Sequence, residues 1–191
     1  MSAHTATLIP PLEASIARRL GQAEVVVLAG GTSEEREVSL SSGMEILRAL
    51  DTADGRGPAR TRLVVIDPQG RWTWEGRALA PTEALGALGR VDVFFIALHG
   101  GSGEDGTLQG FLECVGATYT GSPVRASALC MDKRASRALA AEAGLRVAAG
   151  LCLGARDVLD DPAGALAAAR AVGAGGWAVK PRCGGSCGPA T

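Results

Sequence analysis

The sequence predicts an α/β protein whose first part is built on a parallel sheet, and three observations carry that reading. Residues 24–29 (Glu-Val-Val-Val-Leu-Ala) and 93–98 (Val-Phe-Phe-Ile-Ala-Leu) are continuously apolar and rich in β-branched or aromatic side chains, the pattern of strands covered on both faces. Each runs directly into a glycine turn, Gly30-Gly31 in the first case and His99-Gly-Gly-Ser-Gly-Glu-Asp-Gly106 in the second. After the second turn Leu108, Phe111, Leu112 and Val115 fall at i, i+3, i+4 and i+7, one helical stripe that packs back on its strand. Residues 93–98 are therefore expected to form an interior strand. The turn that follows is where a ligand is expected, because open α/β sheets bind ligands where strands end and helices begin.

The remaining elements follow in order. Residues 12–20 suggest a short amphipathic helix within an N-terminal extension, 1–23. The first strand and its turn lead into a helix reaching about residue 50, with Leu40, Met44 and Leu47 on one face. Glycine, proline and aspartate make 51–60 a loop, and 62–67 is a second strand. Residues 68–74 form a turn and a short extended piece. Trp72 and Trp74, two apart, point the same way and are expected to cover an edge of the core. A helix at 82–88 leads back to the 93–98 strand. Residues 117–121 give a short strand and turn, the first domain closes at 122, and Pro123 opens a helix, 124–131, at its first position. Asp132 caps a helix over 133–143 that Gly144 closes. Residues 147–153 are expected to be a strand, Asp161-Pro162 to start an alanine-rich helix over 163–172, and 177–181 to be a strand entering a glycine and serine loop.

Composition narrows the function. Hydrophobic residues make up 47% of the 191, aromatics 4%, and no apolar run approaches a membrane span. The first residues lack a basic start followed by an apolar block, so no secretory signal is indicated and the cytoplasm is the default. A net charge of −1 with dispersed arginines leaves no basic stripe for nucleic acid, and points to a small ligand. Five cysteines, mostly in apolar stretches, suggest reduced core thiols. Cys183 and Cys187 are close together, but no second cysteine or histidine pair accompanies them to hold zinc.

Three carboxylates, Glu34, Glu35 and Glu37, follow the first glycine turn. That turn lacks the G-x-G-x-x-G spacing of a dinucleotide site, and its acids would repel a pyrophosphate but suit an amine. Residue type alone does not choose among the three, and all of them also suit a helix dipole. In the second turn His99, Gly100, Glu104 and Asp105 are the candidates. Its glycines could serve backbone geometry alone and its acids could only cap the helix. Four glycines in eight residues, beside the only histidine outside the N-terminal tail, favour a ligand site. Among nineteen basic residues only Lys133 and Lys180 are lysines, and a compact ammonium suits a phosphate as a point charge. Lys133 falls in the first turn of its helix, a poor place for a cation unless an anion joins it.

Taken in order, Gly30-Gly-Thr-Ser-Glu-Glu-Arg-Glu-Val-Ser39, Ala97-Leu-His-Gly100 through Gly103-Glu-Asp-Gly-Thr-Leu-Gln-Gly110, Tyr119-Thr-Gly-Ser122, Met131-Asp-Lys133 and Val179-Lys-Pro181 resemble the bacterial D-alanine:D-alanine ligases, over about residues 24–188. The resemblance implies a Rossmann-like pre-ATP-grasp domain at 24–122, followed by the first part of an ATP-grasp domain at 123–191. It implies that Glu35 holds the ammonium of the first D-alanine, that His99 and Gly100 lie at that substrate, and that Ser186 orients Glu35. Lys133, Lys180, Gly185 and Ser186 would bind ATP. Magnesium would take its ligands from a part of the family's chain beyond these residues, together with the adenine pocket and the oxyanion arginine. The family's loop usually reads Gly-Ser-Ser-Val-Gly, whereas here Gly185-Ser186 is followed by Cys-Gly-Pro-Ala-Thr. The implied reaction joins two D-alanines through an acyl phosphate for peptidoglycan precursors, and the resemblance favours a homodimer. These 191 residues alone are expected to be inactive. The alternative expectation is a non-catalytic amino-acid-binding or dimerisation module.

Overall fold

The computed structural model describes residues 14–51, 57–173 and 175–184. After helix α1 (Ala14–Leu20), strand β1 (Glu24–Gly30) crosses through α2 (Arg36–Leu50) to β2 (Arg60–Ile66), which pairs with it in parallel. The chain then turns back twice in a hairpin, β3 (Trp72–Trp74) and β4 (Arg77–Leu79). It passes through α3 (Pro81–Leu88) and returns as β5 (Val93–Ile96), parallel to β1 on its other side. The sheet order is β4-β3-β2-β1-β5. α4 (Thr107–Cys114) follows β5.

β1 is the centre of this domain, and its burial explains its composition. Val26 and Leu28 face a core shared with Ala84 and Leu88 of α3 and with Leu108 and Leu112 of α4. Val27 and Ala29 face the other way, toward Leu40, Ile46 and Leu50 of α2. Two-sided burial removes the alternation of polar residues that a half-exposed strand would show. α2 meets the sheet closely because its buried residues are small. Ser39 and Gly43 are the ones fully covered, and a Cβ on Gly43 would stand 2.5 Å from the Cβ of Ala29. Met44, expected on the packed face, is exposed.

Several expectations change. β5 is the outermost parallel strand rather than an interior one. Its far side meets only a single bridge between Phe94 and Tyr119, in place of a full strand at 117–121. Trp72 lies inside the core, not at its edge. It is 2% exposed and packs edge-on against Phe94 and Phe111 at centroid distances of 6.1 and 6.0 Å. Pro123 is the residue before α5 (Val124–Met131), not its first. The four described cysteines, Cys114, Cys130, Cys152 and Cys183, are free but exposed, not core thiols.

The second part is helical: α6 (Lys133–Glu142), α7 (Ala155–Asp160) and α8 (Pro162–Val172). The strands expected at 147–153 and 177–181 carry no sheet pairing, because no neighbouring described segment offers them a ladder. No described residue from 128 to 184 is buried. Among the described residues no helix is long and apolar enough to cross a membrane.

Candidate active site at the strand ends

At the C-terminal ends of β1 and β5, three serines staple the two turns together. Ser39, fully buried in α2, accepts the N–H of Gly30 at 2.9 Å and donates to the carbonyl of Ala97 at 2.8 Å, tying β1 to β5. Ser33 donates to the carbonyl of His99 at 2.6 Å and accepts the N–H of Glu35 at 3.3 Å. Ser42 lies 3.0 Å from Nε2 of His99. Arg36 completes the turn by donating to the carbonyls of Gly31 and Ile66.

This frame distinguishes the three carboxylates that residue type left equivalent. Glu34 and Glu37 are exposed, whereas Glu35 is only 9% exposed. Its carboxylate rests against Gly100, where an added Cβ would lie 2.3 Å from Oε2. Among the described residues that carboxylate accepts no hydrogen bond. The residue is mostly covered while its carboxylate oxygens stay open to solvent and unpaired among the described residues, which leaves them free to meet a cationic ligand. His99, which precedes Gly100 in the chain, is half-buried, with Nδ1 3.9 Å from Oε1 of the exposed Glu104. Asp105 turns out to be a local cap, its carboxylate accepting the N–H of Thr107 at 2.9 Å. Ser33, Ser39 and Ser42 are contributors that residue-type reasoning did not single out. Their spacing along one turn and helix, directly after a β-branched strand, was the available signal.

Lys133 lies elsewhere, at the start of α6. The cation at this helix N-terminus is accommodated by protein groups. Asp132 accepts the N–H groups of Arg134 and Ala135, the N–H of Lys133 donates to Arg182, and Lys133 Nζ donates to the carbonyl of Gly184 at 2.9 Å. Asp132 also grips the Arg182 guanidinium with both oxygens, which holds its carboxyl well below the ordinary range and raises Arg182 in turn. The first-turn N–H groups of α6 are thus already used, which leaves the Lys133 side chain as the group able to turn to a phosphate. Lys180 is exposed, and Gly185 and Ser186 lie outside the described residues. Among the described residues no group of three or more His, Cys, Asp or Glu side chains converges on a metal position. A cavity of about 490 Å³ lies at the far end of α2, lined by Leu47, Leu50, Pro58 and Arg60 among others, away from Glu35 and His99.

The family model described as D-ala D-ala ligase N-terminus matches residues 24–87 and 75–122. A D-alanine-D-alanine ligase of Halorhodospira halophila is 45% identical over 148 residues, 77% of this chain and 42% of that protein. One from Pseudoalteromonas translucida is 45% identical over 125 residues, 65% of this chain and 36% of its own length. The solved D-alanine-D-alanine ligase from Coxiella burnetii superposes with a TM-score of 0.61 at 26% identity, over 78% of this chain and 49% of that one. The chain spans less than half the length of each of these relatives.

Proposed function

The chain belongs to the D-alanine-D-alanine ligase family, and from that premise we propose that residues 24–122 hold the first D-alanine of an ATP-dependent ligation. What carries the reading is one juxtaposition: Glu35, a residue 9% exposed whose carboxylate accepts no hydrogen bond among the described residues, set against Gly100, the next residue after His99. Glu35 accepts N–H groups of the substrate ammonium, and His99 stands at its carboxylate. Ser186 orients Glu35, and Lys133 and Lys180 face the phosphates of ATP, with Gly185 and Ser186 closing over them. Lys133 is suited to this, since among the described residues the neutral Gly184 carbonyl leaves its charge uncompensated and two of its three donors free, and hydrogen bonds from an ammonium to a phosphate are stronger than neutral ones.

The proposed chemistry moves the γ-phosphoryl of ATP to a carboxylate oxygen of the first D-alanine, giving ADP and an acyl phosphate. The free amine of a second D-alanine attacks the acyl carbon. The tetrahedral adduct then expels phosphate and the nitrogen gives up its proton as the peptide bond forms, a product suited to peptidoglycan precursors. The cations and N–H groups of the site stabilise charge on the transferring phosphoryl and on the adduct. Magnesium finds no converging ligand set among the described residues.

Titration calorimetry of the 191-residue chain tests the substrate assignment. D-alanine is expected to bind, L-alanine to bind more weakly, and Glu35→Gln to abolish D-alanine binding while circular dichroism shows the variant still folded. Undiminished binding by Glu35→Gln removes the basis of the reading. The same chain, given D-alanine, ATP and magnesium, is expected to release no ADP. A second reading, a binding or dimerisation module without catalysis, is favoured by the absence of any buried described residue beyond Ser127.

A further inference from the structure

We propose that Ser42 is a positioning residue for His99: its hydroxyl donates to Nε2, keeps the ring proton on Nδ1, and so determines which N–H the imidazole offers to a ligand. The inference rests on the reading of His99 as the group that meets the substrate carboxylate.

Ser42 lies in the second turn of α2, half-buried, with Oγ 3.0 Å from Nε2. A serine within a helix usually bonds to the carbonyl one turn back or points to solvent. The one hydrogen bond of the Ser42 hydroxyl among the described residues is to the imidazole. The backbone of His99 is fixed separately, through the bond from Ser33 to its carbonyl, so Ser42 acts on the orientation and proton of the ring.

The direction of the bond follows from the other nitrogen. Glu104 Oε1 stands 3.9 Å from Nδ1, and a carboxylate only accepts, so its charge favours a proton on Nδ1. A neutral imidazole carries one donor and one acceptor, which leaves the Nε2 lone pair to receive the hydroxyl hydrogen of Ser42. At 3.9 Å the Nδ1–H is not consumed by Glu104 and remains able to donate to a ligand oxygen.

The test is a long-range ¹H–¹⁵N spectrum of the histidine rings in the 191-residue chain, recorded above the imidazole titration range. The sequence has two histidines, so His4→Gln leaves His99 alone in the spectrum. The expected wild-type pattern is a protonated Nδ1 and a bare Nε2. Ser42→Ala shifts both nitrogens toward the Nε2–H form that free imidazole side chains prefer, and Ser42→Thr restores the wild-type pattern. D-alanine affinity falls roughly three- to tenfold in Ser42→Ala and recovers in Ser42→Thr. A wild-type His99 protonated on Nε2 overturns the proposal, as does a Ser42→Ala spectrum with unchanged ring nitrogens. Amide spectra establish that each variant is folded, and if Ser42→Ala is not, the wild-type tautomer decides alone. The ring is observed without ligand, so failure of D-alanine to bind would sink the functional reading and leave this one to stand or fall on the tautomer.

Discussion

A methyl group on residue 100 would land 2.3 Å from Oε2 of Glu35, at a backbone φ of +66°. The carboxylate is the far end of a rotatable side chain and can swing aside, so the clash becomes a displacement of the very group assigned to the ammonium. Gly100→Ala is therefore expected to cost about 1–2 kcal/mol of stability from the left-handed backbone alone and to weaken D-alanine binding by at least roughly tenfold. Gly101→Ala is the control. It too has a positive φ, +48°, but its methyl would meet only the Ser33 Cβ at 3.5 Å. Urea unfolding reads the backbone cost of each variant, and calorimetry should separate their D-alanine affinities. Equal D-alanine affinities would show that Gly100 serves the backbone only.

Among the elements, α6 has the most explicit electrostatics. The Arg182 guanidinium, followed by the N–H groups of Ala135 and Arg134, favours the ionised form of Asp132, and its folded pKa lies well below the ordinary value of 3.8. The protection this gives the first turn is whole above that ordinary value and is lost as pH falls below it toward the depressed one. Hydrogen exchange at Arg134 and Ala135 should show protection factors that are flat above about pH 5 and decline below about pH 4. Asp132→Asn should lower them at neutral pH and remove the decline, and a decline that persists in the variant would assign it to another group. The cap itself was legible, since Asp132 before a helical run is a sequence signal. So was β1, whose apolar run survives because both faces are covered. The outer place of β5 was not, because a continuous apolar run reports burial and says nothing about which neighbour pairs with it. The arrangement of Trp72 was hidden for a related reason: two residues on the same face of a strand read alike, and only the sheet decides which one reaches Phe94 and Phe111. At the site, the glycine turns and His99 could be read directly; residue type left Glu34, Glu35 and Glu37 equal and the resemblance pointed to Glu35, while the burial that sets Glu35 apart comes with the approach of Gly100, distant in sequence.

The whole molecule divides into a packed sheet domain and a second part in which every described residue beyond Ser127 has some exposure, including Leu145, Leu159, Trp177 and Val179, all more than 40% exposed. Limited trypsin digestion should cut first at Arg146 and Arg156 and leave a resistant core ending near residue 122. Early cleavage within 60–115 instead would contradict the packing described above. Inside that core the two ends of the strands have different occupations. At the C-terminal ends lie Glu35 and His99. At the N-terminal ends Arg62, 7% exposed, donates to the carbonyls of Leu88 and Arg90, both at 2.6 Å, and to Glu24 at 2.9 Å, while Asp92 accepts the N–H of Glu24. The sheet is riveted at one end and, on the proposed function, worked at the other. Over evolutionary drift, substitutions around the rivet answer to the survival of the fold and those around the turns to the choice of ligand, so a lineage can retune its substrate without loosening its frame.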